Sequence, residues 1–231
     1  MQIMNAASFV KALSSFSLSN VFNPYADTCA IHDRGNAPAA RRKNLRSYLS
    51  SVEARGTDTV WMGRDLGYRG GRRTGLALTD EYHLPHMANV YRGCDLSQAT
   101  KGPAVAERTA AEIWTVLCAL DIPPLLWNVF PFHPHEEKNP FTNRKFSAGE
   151  LAQVDDLNAA LFEWLGIRRI VGIGQDAVNY ASRFNVEVIG IRHPSYGGTT
   201  DFREGMRKIY KLPVGLKPLP ARDRAQQALF E

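Results

Sequence analysis

The sequence predicts an α/β fold, a parallel sheet covered by helices on both faces, and three observations carry that prediction. Four short apolar runs recur along the chain, each ending at a Gly, Asn or His. Two long segments with helical spacing separate them, and one of these opens with Ser147 and Glu150 three residues on, the capping-box spacing. Strands alternating with helices imply parallel pairing, because each crossover must travel back over a sheet face.

In chain order, Asn5 to Phe16 reads as a short helix, apolar at Phe9, Val10, Leu13 and Phe16. Phe22 to Ala40, with Asn23-Pro24, Gly35-Asn36 and Pro38, reads as loop. Arg41 to Arg55 is a helix with Leu45, Tyr48, Leu49 and Val52 on one face. The four apolar runs are Thr59 to Met62, Leu125 to Trp127, Arg169 to Ile173 and Val186 to Ile191. Between them lie helices over Ala104 to Ala119, with Ile113, Val116, Leu117 and Leu120 at helical spacing, and over Ser147 to Leu165. Parallel sheets place their sites just beyond the carboxyl ends of the strands. Those ends carry Gly63-Arg64-Asp65, Asn128, Gly174-Gln175-Asp176 and His193-Pro194-Ser195.

Composition bounds the function. The chain of 231 residues, 44% hydrophobic and 22% charged, is read as one globular domain, 1–231, and long disorder or a fibrous repeat is excluded. With 28 Lys+Arg against 23 Asp+Glu it carries +5, and its pI is near 9.2, which favours polyanionic partners. The longest apolar run, Pro123 to Phe132, contains Pro and Asn and is too short to span a bilayer. No signal peptide is expected, since Lys11 interrupts the only candidate. Three well-separated cysteines, Cys29, Cys94 and Cys118, fit reduced thiols in a cytosolic or nuclear compartment and cannot by themselves build a four-cysteine cluster.

At the first strand's end, Gly63 to Gly75 packs five glycines and four arginines (Arg64, Arg69, Arg72, Arg73) into 13 residues. Backbone N–H groups and guanidinium forks of this kind suit phosphate; a mobile, solvated surface loop is the competing reading. Asp65, the single acid among those arginines, is expected to stay ionised, either orienting a water and offsetting a cationic transition state or forming an ordinary ion pair. Asn128 offers an amide that pairs with an edge presenting one acceptor and one donor, such as a pyrimidine's, or else caps its own loop. The His133-Pro134-His135-Glu136 segment has metal-like composition but no third ligand, and reads as a polar loop. Gly172-Ile173-Gly174-Gln175 lacks the third glycine of a dinucleotide fingerprint, leaving a helix N-terminus able to receive one phosphate. His193, fixed by Pro194, sits where a site residue belongs or is a hydrogen-bonded structural histidine.

Taken in order, Gly63-x-Asp65, Asn128 and His193-Pro194-Ser195 resemble the uracil-DNA glycosylase superfamily over roughly Phe22 to Gly205. The resemblance implies a three-layer α/β/α sandwich around a short four-stranded parallel sheet. It implies that Asp65 positions the hydrolytic water and stabilises the cationic sugar, Asn128 reads the uracil edge, and His193 hydrogen-bonds uracil O2 as negative charge collects on the leaving base. It also assigns Ser195, Tyr196 and Gly197 to the loop that compresses the phosphates and fills the hole left by a flipped nucleotide. Gly174 and Gln175 become a backbone-phosphate contact. From the Gly/Arg stretch itself, Arg69, Arg72 and Arg73 are expected as further phosphate contacts.

Three departures are evident. Leu78 stands where most members stack an aromatic on the base; Gly67 stands where the best-known branch has a tyrosine that blocks thymine's methyl, with Tyr68 one residue later; and the cluster cysteines of the iron–sulfur branch are missing. Tyr68, or the Phe130 to Phe132 loop, is expected to close the C5 side instead. The expected partner is uracil-containing DNA, single- or double-stranded, bound by a monomer without metal, organic cofactor, membrane or obligate protein partner. The expected location is cytoplasmic, at the nucleoid in a bacterium. Basic segments at Arg34 to Arg46, Arg64 to Arg73 and Arg207 to Lys217 are expected to offset the cost of base flipping. The rival readings are a DNA-binding or mismatch glycosylase-like protein with weak or altered specificity, motivated by Leu78 and Gly67, and a mononucleotide-dependent enzyme using the Gly-Ile-Gly-Gln loop.

Overall fold

A computed structural model describes residues Met4–Leu216. Its elements run α1 Ala6–Ser14, β1 Val21–Phe22, α2 Ala37–Arg55, β2 Thr59–Gly63, α3 Gly71–Thr74, α4 Leu84–Val90, α5 Arg108–Leu117, β3 Leu125–Asn128, β4 His133–Pro134, α6 Ala148–Leu165, β5 Arg169–Ile173, α7 Gln175–Ala181, β6 Glu187–Ile191 and α8 Thr199–Tyr210. The main sheet has the order β3-β2-β5-β6 with every pair parallel, and β1 and β4 form a separate antiparallel ribbon.

Side chains alternate across the sheet, so each strand feeds two cores. Trp61, in register with Leu126 and Val171, points to the face covered by α5 and α8, where its indole donates to the Tyr210 hydroxyl at 2.5 Å. Trp127 points to the other face, against Phe9 of α1, and donates to Asn158 of α6 at 2.9 Å. The result is a three-layer α/β/α sandwich. Both faces are closed by one contiguous apolar core. The exposed edge of β3 is covered by α2: the Leu126 N–H donates to the Tyr48 hydroxyl at 2.5 Å, satisfying a backbone group that lacks a strand neighbour.

Two helix starts show why these segments fold as they do. Ser147 and Glu150 form the capping box before α6, each side chain taking the other's backbone N–H. Pro38 lies in the first turn of α2, so that helix begins at Ala37, inside the stretch expected to be loop; proline's missing N–H costs nothing there. The helix expected from Ala104 starts at Arg108, and α4, α8 and the β1–β4 ribbon are additions to the sequence-based expectation.

Glycines set the approach of α7. A Cβ at Gly172 would stand 2.9 Å from Val178, and one at Gly190 3.1 Å from it. Their absence lets α7 settle on β5 and β6, which carries Gly174 and Gln175 to the carboxyl edge of the sheet. Among the described residues no helix is long and apolar enough to cross a membrane.

Candidate active site

A cavity of about 590 Å³ opens at the carboxyl ends of β2, β3, β5 and β6. It is lined by Asp65, Gly67, Leu78, Asn128, Gly174, Gln175, His193, Ser195 and Tyr196, together with Arg64, Glu107, Asn143 and Asp176. Strands separated by long crossovers thus deliver the three residues singled out on chemical grounds to one place.

The turns after β2 and β3 are tied together. Val129 N–H donates to the Gly63 carbonyl at 2.9 Å, and Phe130 N–H to that of Arg64, also at 2.9 Å. Asp65 follows, with its side chain nearly inaccessible and one oxygen 2.6 Å from Arg64 Nε. Burial pushes its carboxyl above the usual carboxylate range, and Arg64 opposes that rise. Of the two readings of Asp65, the ion pair with a neighbouring arginine is present. Among the described residues Arg64 alone pairs with it, and that guanidinium also lies 4.0 Å from Asp176, whose other oxygen pairs with Lys145 at 2.5 Å.

Asn128 is 2% exposed, and its amide oxygen has no hydrogen-bond partner among the described residues. A Cβ on Gly63 would stand 2.5 Å from that oxygen and 2.9 Å from Leu78, so only glycine lets the amide and Leu78 meet across the strand end. Leu78 itself sits at φ +54°, in the left-handed region that branched apolar residues avoid.

On the opposite strand end, His193 Nδ1 accepts from the Ser195 N–H at 3.1 Å and lies 2.7 Å from the Ser195 hydroxyl. A nitrogen that accepts carries no proton, so the neutral imidazole bears its hydrogen on Nε2. Burial, with Arg64 adding to it, holds the His193 pKa below the usual histidine value. Tyr196, at φ +50° and 97% exposed, stands at the tip of the loop that begins there.

The remaining assignments divide. Arg69 is exposed, as a phosphate contact requires. Arg72 and Arg73 are not: they are 3% and 6% exposed, in α3. The Arg72 guanidinium packs over the Phe22 and Phe141 rings, and Arg73 binds Glu81 at 2.9 Å and Thr100 at 2.8 Å. Those two guanidinium groups are enclosed in the fold by a packed turn and short helix, so of the four arginines in the Gly/Arg stretch Arg64 and Arg69 alone keep solvent access. Within Arg34 to Arg46, Arg41 is likewise buried on Asp33, while Arg46 is exposed. Arg207 pairs with Glu204, and Lys217 lies outside the described residues. Tyr68 and Gly197 do not line the cavity; Phe130 and Phe132 are fully buried in the core. His133 is buried against the Leu66 carbonyl at 2.7 Å, in β4 rather than a polar loop. Among the described residues no cluster of His, Cys, Asp and Glu suits a metal ion.

Glu107 escaped the sequence argument. As part of a helical pattern from Ala104 it resembled any surface glutamate, whereas it ends a loop as the residue before α5 and turns into the cavity. Burial and the neighbouring Asp80 push its carboxyl up to about 7, against the pull of Arg69. No local signal marks it.

No family model matches the chain, and no characterised protein matches it in sequence. Among solved structures, the fold is similar to that of wild-type SMUG2 from Pedobacter heparinus, with a TM-score of 0.59 at 14% identity, over 98% of this chain and 98% of that one. At that identity the likeness is one of fold.

Proposed function

We propose that this chain is a monofunctional DNA glycosylase that hydrolyses the N-glycosidic bond of deoxyuridine in DNA, releasing uracil and leaving an abasic site. The observation that carries the reading is the buried, unpartnered amide oxygen of Asn128, facing a cavity that also holds Asp65 and His193. A buried acceptor without a donor costs roughly 1–3 kcal/mol, a cost that a ligand N–H removes. Uracil N3–H is such a donor, and the same amide's NH₂ meets O4 beside it. The fold shared with SMUG2, a DNA glycosylase, supports the same reading.

The chemistry follows from where charge develops. Breaking the bond places positive charge on the sugar and negative charge on the base. Asp65, held as an anion by Arg64, offsets the first and orients the attacking water. His193 Nε2–H donates to O2 and meets the second without needing to be charged. No lysine lines the cavity among the described residues, and the Lys145 amine beside it is held on Asp176 at 2.5 Å, so no free amine is placed to form a Schiff base, and the strand stays unnicked. A base stacked in a duplex cannot reach this depth, so the nucleotide is flipped or the substrate is single-stranded. Tyr196, with Ser195 and Gly197, fills the vacated stack, while Arg69, Gly174 and Gln175 hold phosphates. The protein acts as a single-domain monomer.

A labelled oligonucleotide carrying one uracil, incubated with protein and then treated with alkali, tests this directly. The expected result is alkali-dependent cleavage at the uracil and release of free uracil. DNA binding without cleavage would assign the protein to the binding-only class.

A further inference from the structure

Resting on the glycosylase reading, the positions of Asp65, His193 and Asn128 fix how a pyrimidine must lie. Asp65 meets the sugar, His193 meets O2, and Asn128 takes N3–H and O4. The edge left over is C5. Glu107 stands in a different corner of the cavity from the catalytic pair: its carboxyl lies against Gly67 and Gly70, whereas His193 lies against Gly174 and Ser195 and Asp65 is held on Arg64.

The glycines beside Glu107 define that corner. A Cβ on Gly67 would stand 3.2 Å from Glu107 Oε1, and one on Gly70 would collide with Oε2. The two glycines make room for the carboxyl, which closes the wall that a side chain at Gly67 would otherwise form. No described group donates a hydrogen bond to it, so its hydration comes from the cavity. Thr79 and Thr109 also line the cavity.

We propose that Glu107 is the specificity-determining residue of this site, its carboxyl reading the C5 edge of the flipped base and rejecting a 5-methyl group. A hydrogen at C5 leaves space for water on the carboxyl. A methyl takes that space, offers no donor, and strips water from a carboxyl that no described group hydrogen-bonds. This assignment replaces Tyr68, which does not line the cavity.

The test compares excision of U and of T, each opposite G, by wild type, Glu107→Ala and Glu107→Asp. Asp shortens the side chain by one methylene, retracting the carboxyl from Gly67 while keeping a carboxylate at the residue before α5. The readout is the ratio of the two rates, which a general loss of stability does not move. One methyl in a pocket is worth roughly 10–200-fold, so the U/T ratio should fall by at least about tenfold in both variants. If Glu107→Ala does not fold, the ratio for Glu107→Asp decides. An unchanged ratio in the folded variants overturns the role of Glu107 while leaving the glycosylase reading intact. Wild type removing T as fast as U overturns it as well. Wild type that releases no uracil refutes the glycosylase reading itself, and the inference with it.

Discussion

The Ser195 backbone N–H points at Nδ1 of His193, 3.1 Å away, and this one bond decides the tautomer of the imidazole. Because Nδ1 accepts, the ring presents Nε2–H to the cavity, and burial beside Arg64 keeps it neutral below the usual histidine pKa. The group that meets the leaving base is therefore a neutral donor. We expect nitrogen NMR of the free protein to show the Nε2–H tautomer at pH 7 with no protonation step at the ordinary histidine pKa. A ring that titrates at or above that value would remove the argument.

Asp65→Asn keeps shape and removes charge. Excision should fall on the order of 10²-fold or more, with DNA affinity retained, because the role is electrostatic. Single-turnover rates alongside binding isotherms measure both. Near-normal turnover would move the role to another acid. Of the alternatives, Asp176 lines the cavity, whereas Asp80 and Glu81 are committed to buried partners, His83 at 2.7 Å and Arg73 at 2.9 Å.

Asn128→Asp exchanges the amide's NH₂ donor for an acceptor. Uracil O4 then faces an oxygen, whereas the amine of cytosine finds one. Uracil excision should weaken, with each mismatched buried pair costing about 1–3 kcal/mol, and cytosine excision should rise from background. Paired assays on U- and C-containing oligonucleotides report it, and a variant with unaltered uracil rate would exclude Asn128 from base contact.

Glu107 makes stability depend on pH. Its carboxyl holds its proton to about 7 in the fold against an ordinary 4.5, so folded protein binds more protons than unfolded between those values. Stability is then full below pH 4.5 and declines as pH rises through 7. Glu107→Gln, which has no charge to desolvate, should gain on the order of 2 kcal/mol over wild type at pH 8 relative to the difference at pH 5. Urea unfolding at the two pH values measures this; equal differences at both would show that the carboxyl is not desolvated.

Arg73 and Arg69, both from the same Gly/Arg stretch, should behave oppositely. Arg73→Ala leaves Glu81 buried without its cation and should cost about 3–5 kcal/mol in unfolding free energy. Arg69→Ala, at an exposed side chain, should cost far less stability than Arg73→Ala and lower the salt dependence of DNA binding by about one phosphate contact. The converse pattern would restore Arg73 to the DNA interface.

How much was legible in the sequence follows from the range of the forces involved. The four strands were readable because Thr59 to Met62, Leu125 to Trp127, Arg169 to Ile173 and Val186 to Ile191 are local runs: β2, β3 and β5, buried on both faces, need local apolarity, and the edge strand β6, only half-buried, keeps enough of it. That same topology put Asp65, Asn128 and His193 at strand ends, so their convergence on one cavity was inferable from chain order. Tertiary structure decided the rest. Arg64, Arg69, Arg72 and Arg73 look alike along the chain, yet only distant partners determine which are buried: Phe22 and Phe141 for Arg72, Glu81 and Thr100 for Arg73. Glu107 reaches the cavity because Gly67 and Gly70 leave room for it, a fit set by the packing of segments far apart in sequence. Local pattern specifies which segments are strand and helix; the burial of a charge is set by whichever remote groups arrive to meet it.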